Sequence, residues 1–81
     1  MKLPRDLSGP DLARLLRRYG YAVSRQTGGH LRLTSKMTGT EHHVTIPAHK
    51  DLRLGTLRSI VSEVADHLKK DREKLAVELF G

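Results

Sequence analysis

No cysteine occurs anywhere in the chain, so disulfides, thiolate zinc sites and a thiol nucleophile are all excluded. Tryptophan is also missing, and the aromatic set is Tyr19, Tyr21 and Phe80. Proteins that read single strands stack bases on several aromatic rings. A chain this poor in rings would hold a nucleic acid through its phosphates and its shape. No run of about 18 apolar residues is present, so no helix is expected to span a membrane. Met1 to Asp6 contains no apolar stretch of the signal-peptide kind. These absences suit a reducing compartment, and the expectation is a cytoplasmic protein.

What is present is positive charge. Fifteen Lys and Arg stand against nine Asp and Glu, a net charge of +6 on 81 residues. Such an excess on so small a chain favours a polyanionic partner, nucleic acid foremost. The length allows one domain, 1–81, burying about 60–65 % of the surface of its unfolded chain. That margin is thin, and a protein partner would add to it.

Periodicity gives the element order. Residues 8–19 read as a helix with Ser8 as N-cap, Asp11 positioned for a capping box, and Leu12, Leu15, Leu16 and Tyr19 as its apolar stripe. Gly20 ends it in a left-handed conformation. Residues 21–26, 30–34 and 41–46 read as strands, separated by turns at Thr27-Gly28-Gly29 and around Gly39. In the second strand Leu31 and Leu33 share one face, and His30, Arg32 and Thr34 the other. Val44 and Ile46 point inward from the third, and Pro47 closes it. A second helix runs from Gly55-Thr56 to about Lys70, with Leu57, Ile60, Val61, Val64 and Leu68 on its buried side. Residues 71–80 are a last short helix or its continuation. The order α-β-β-β-α predicts an α+β fold, a three-stranded antiparallel sheet with both helices on one face. His30 then faces away from the core.

The candidate chemistry centres on His30, which follows two glycines at a strand start. An imidazole can take or give a proton near neutral pH. Arg25, Arg32 and Lys36 are near it in sequence and are candidate phosphate contacts. His49 and Lys50 follow Pro47 and could line a groove. Lys50, Arg53 and Arg58 surround the start of the second helix, where Thr56 is a candidate cap or anion contact. His42 and His43 are adjacent and point to opposite faces, so they do not share a metal, and His49 and His67 complete no ligand spacing. No catalytic triad order, phosphate-binding loop or dinucleotide fingerprint is present. Glu63, Asp66, Asp71, Glu73 and Glu78 read as a solvated helix face.

Several segments in order resemble one family. They are Leu7-Ser8-Gly9, Tyr19-Gly20-Tyr21, Arg25 to His30, Val44 to His49, and Leu54 to Ile60. Together, over about residues 7–68, they resemble the HicA-type toxins. The resemblance implies a fold like the double-stranded-RNA-binding domain. It also implies endoribonuclease activity on mRNA independent of translation, with no metal or cofactor, and a HicB-like antitoxin as partner. The family's histidine lies in Gly-Ser-His, which falls on Gly28, Gly29 and His30, with Gly29 where serine is usual. The catalytic role therefore carries to His30. Its Pro-x-x-x-His element appears only as Pro47-x-His49, whereas Gly55 to Ile60 matches in full. From the residues alone, a non-catalytic RNA-binding module and a protein-interaction domain stay open beside the nuclease.

Overall fold

The computed structural model describes residues 1–81. Helix α1 (Gly9–Leu16) tightens into a 3₁₀ turn at Arg17–Tyr19 and is followed by strands β1 (Ala22–Thr27), β2 (His30–Ser35) and β3 (His42–Pro47). Helices α2 (Leu54–Leu68) and α3 (Arg72–Phe80) complete the chain. The strands form one antiparallel sheet in the order β1-β2-β3. The α+β order is the one expected.

Side-chain alternation decides which sheet face is covered. Leu31, Leu33, Val44 and Ile46 are buried against α1 and α2, joining Leu12, Leu16, Tyr21, Leu57, Val61 and Val64 in one core. Burying an aliphatic side chain contributes about 1.5–3 kcal/mol, against a net of about 0.5–1.5 kcal/mol for a hydrogen bond. The layers are therefore held by these inward residues. The other face, carrying His30, Arg32 and Thr34 from β2 and His43 and Thr45 from β3, has no layer over it.

The elements differ from expectation at their edges. Ser8 caps α1, its Oγ accepting the Asp11 N–H at 3.1 Å, but the Asp11 carboxylate pairs with Arg14 at 2.8 Å instead of closing a capping box. Leu15 leaves the buried stripe and is 36 % exposed, its place taken by Ala13. Tightening at Arg17 rotates the helix so that Tyr19 still reaches the core. Gly20 takes φ +82°, as expected of the residue after this turn. Val23 faces the helix side but lies on the edge strand, beyond the cover of α1, and is 48 % exposed. Helix α2 begins at Leu54, so Thr56 lies inside its first turn and is not its cap; Arg53 is, with no side-chain bond.

Helix α3 is a separate helix. Lys69 adopts φ +54°, and the Lys70 and Lys69 N–H groups close back on the carbonyls of Ala65 (2.9 Å) and Asp66 (3.2 Å). This left-handed closure satisfies the end of α2. Asp71 then caps α3, accepting the Lys74 N–H at 3.1 Å. The acidic residues here are not one solvated face. Glu78 accepts from the Tyr19 hydroxyl and from Lys70 Nζ (2.9 Å), and Glu73 meets the N-terminal amine at 3.1 Å. These two donors hold the Glu78 carboxyl below its usual range. Burial and the Glu78 contact push the Tyr19 phenol up to about 12.

Candidate active site

The strand start at His30 is pinned from two sides. In register, His30 lies between Thr27 of β1 and Pro47 of β3. One residue earlier, the Gly29 carbonyl accepts the Ala48 N–H at 2.6 Å. Ala48 begins the connector to α2, which is itself tied to the start of α1. The His49 carbonyl accepts the Gly9 N–H at 2.9 Å, and the Leu52 N–H donates to Leu7 at 2.8 Å. His49 and Lys50 are thereby brought to the same end of the sheet as His30, all three exposed. His49 orders the connector through its backbone, not through its ring.

Gly9 makes this closeness possible. A Cβ there would sit 2.0 Å from the Pro47 carbonyl oxygen and 3.0 Å from Ala48 Cα. In the hairpin, Gly28 takes φ +54°, whereas Gly29 has ordinary φ and open space where a Cβ would stand. The serine usual in the family motif therefore fits. Gly29→Ser is expected to leave stability within about 0.5 kcal/mol of the parent, measured by urea unfolding. Gly28→Ala is expected to lose about 1 kcal/mol or more.

On the open face, Arg25 and Arg32 stand directly opposite one another across β1 and β2. Neither belongs to any ion pair within the chain. Like charges placed opposite destabilise a sheet unless an anion joins them. Arg32 is two residues from His30 on the same face, about 6.7 Å along the strand.

The remaining sequence candidates lie elsewhere. Lys36 follows the far end of β2 and is not part of the His30 cluster. Arg53, Thr56 and Arg58 start α2 at the His30 end, as the stacking of His67 on His42 at the opposite end requires, but they belong to the helix layer. Arg58 lines a shallow pocket of about 330 Å³ with Lys2 and Arg5, two cations that sequence distance concealed.

Two histidine clusters also escaped the sequence reading. His42 stacks on His67 with ring centroids 4.3 Å apart, and its Nδ1 meets the Tyr21 hydroxyl at 2.8 Å. Burial, then the neighbouring His67, holds His42 below the usual imidazole range, against the opposing pull of Glu63 at 3.7 Å. Burial, reinforced by Glu63, raises the Tyr21 phenol to about 12. His43, on the open face, bonds Thr34 at 2.8 Å and Glu41 at 3.2 Å. Only long-range pairing assembles either cluster.

The His42 shift has a sign. Unfolded, the ring binds its proton near 6.5; folded, it does so at lower pH. Its contribution to stability is present above 6.5 and is lost as pH falls through the lower folded value. The urea midpoint is expected to be lower at pH 5.5 than at 7.5, and His42→Gln is expected to shrink that difference.

The family model described as "HicA toxin of bacterial toxin-antitoxin" matches residues 9–71. The chain belongs to the HicA toxin family. No curated protein and no solved structure matches it. HicA membership makes this chain the toxin of a toxin–antitoxin pair, with an antitoxin as its implied partner. The matched span holds the sheet, the connector and α2, and stops before α3. No helix is long and apolar enough to cross a membrane.

Proposed function

We propose that this HicA-family chain is a metal-independent endoribonuclease acting on mRNA independently of translation, with His30 as its general acid–base. One observation carries the reading. An exposed imidazole shares a bare sheet face with the unneutralised Arg25–Arg32 pair, at the end where Lys50 also stands. That is a proton carrier beside a site built for an anion.

RNA brings its own nucleophile, so no activated water is required. His30 takes the proton of a 2′-hydroxyl as its oxygen attacks the adjacent phosphorus. The new O–P bond forms as the bond to the 5′-oxygen breaks, and that oxygen receives a proton from the imidazolium or from solvent. Arg32 and Arg25 neutralise charge on the phosphorane, and Lys50 reaches it from the connector. A site with one imidazole turns over slowly, which is enough to arrest a cell. A HicB-like antitoxin presenting carboxylates would cover this cationic face and stabilise the small fold. The site of action would be the cytoplasm.

The test is incubation of labelled mRNA with pure protein and a chelator. Cleavage is expected, with RNA affinity falling steeply as salt rises, by a log–log slope of about −0.7 per phosphate contact. Binding without cleavage at any protein concentration would make the chain a non-catalytic RNA-binding module.

A further inference from the structure

Three side chains on the open face form a hydrogen-bonded row across all three strands, and Glu41 stands at ion-pair distance from its end. Glu41 Oε1 lies 3.2 Å from His43 Nε2, and His43 Nδ1 lies 2.8 Å from Thr34 Oγ1. Thr34 Oγ1 is 2.8 Å from Ser24 Oγ, which in turn donates to the Arg32 carbonyl at 3.2 Å. The three hydrogen bonds of the row have one direction, because the Arg32 carbonyl can only accept: Ser24 donates to it, Thr34 donates to Ser24, and His43 Nδ1 donates to Thr34. Nε2 is left facing the Glu41 carboxylate at the outer end of the row.

Position in the sheet says what that end faces. Thr34 and His43 are paired in register, as are His30 and Pro47, four residues away along the same strands. Four steps are about 13 Å, too far for His30 and His43 to act on one phosphate. Arg32 lies midway on the same face, opposite Thr45. His30, Arg32 and Thr34 repeat every two residues along β2, about 6.7 Å, with His43 beside Thr34 on β3; that step is comparable with the spacing of phosphates along an extended single strand. With so few aromatic rings, backbone contacts of this kind are what the face offers.

We propose that His43, held by Thr34 and Ser24, is a second RNA-backbone contact, and that Glu41 occupies the place of a substrate phosphate until RNA displaces it. The proposal rests on the ribonuclease reading above and extends it: the strand lies along β2, from the scissile phosphate at His30, past Arg32, to a phosphate at His43. Glu41 is half exposed and free to swing away, and exchanging it for a phosphate oxygen at Nε2 leaves the rest of the row intact.

The experiment is a scan of neutral methylphosphonate linkages through an oligoribonucleotide. Binding is measured on the His30→Ala protein, alone and combined with His43→Gln or Glu41→Gln, with thermal melts confirming that each variant folds. One linkage is expected to cost about tenfold in affinity with His43 present and nothing once it is Gln. Glu41→Gln, which removes the competing anion, is expected to tighten binding severalfold. The opposite signs separate an anion site from a strut, since a strut would lose in both variants. A scan unchanged by His43→Gln, or weaker binding in Glu41→Gln, overturns the proposal. Cleavage of unmodified RNA by the parent protein, run alongside, reports on the nuclease reading independently.

Discussion

His30→Ala is expected to lower the rate of RNA cleavage by about 10²–10⁴-fold while leaving stability and RNA affinity nearly unchanged. The separation follows from where the ring sits. It is exposed on a sheet face with nothing packed over it, so its removal opens no cavity. The proposed anion contacts, Arg25 and Arg32, are paired with each other across β1 and β2 and are not built around the imidazole. Residual cleavage would reflect those contacts alone. Arg32→Gln should behave in the complementary way, weakening RNA binding and flattening its salt dependence by about 0.7 in log–log slope. The measurement is a single-turnover cleavage rate beside equilibrium binding for each protein. A folded His30→Ala variant that cleaves at the parent rate would remove the imidazole from the mechanism.

Gly9→Ala is the second large effect, and it acts at a distance. The added methyl would lie 2.0 Å from the Pro47 carbonyl oxygen, which is backbone and cannot rotate aside. Either α1 or the end of β3 must move, and the bond from Gly9 to the His49 carbonyl breaks with it. A loss of about 3 kcal/mol in urea unfolding is expected. The connector that carries His49 and Lys50 shifts as well, and a displacement of about 1 Å can cost about 10²-fold in rate. Gly55→Ala provides the control. It lies in the first turn of α2 with nothing near its would-be Cβ, and helix propensity favours alanine there by about 1 kcal/mol. The contrast tests whether glycine in Leu7-Ser8-Gly9 serves close packing.

The strands and helices were legible because their signals are local. Leu31 and Leu33 alternate with His30 and Arg32, and that alternation alone gives both the inward face of β2 and the outward direction of His30. The α2 stripe was equally plain. The last short helix at 71–80 was legible too, but a continuation of α2 stayed open beside it, because the left-handed residue at the break is Lys69 and not the glycine that usually marks such an end. Leu15 reads as part of the buried stripe by pattern and is exposed, since pattern gives a side chain's direction but not whether a neighbouring layer extends far enough to cover it. Arg25 and Arg32 lie near His30 in the fold as in the sequence, whereas Lys36 does not, because six residues of extended strand carry it to the other end of the sheet. The pairing of Arg25 with Arg32, the His42–His67 stack and the row from Glu41 to Ser24 depend on strand register and helix packing, for which no short window carries a signal.

With RNA's own 2′-hydroxyl as the proposed nucleophile, the ends of the cleaved strands are the direct record of the attack. Mass spectrometry of fragments produced in chelator should show 2′,3′-cyclic phosphate on one side of the cut and a free 5′-hydroxyl on the other. Fragments carrying a 5′-phosphate and a 3′-hydroxyl, or a reaction that the chelator stops, would mean that water attacked instead and that His30 does not activate a 2′-hydroxyl.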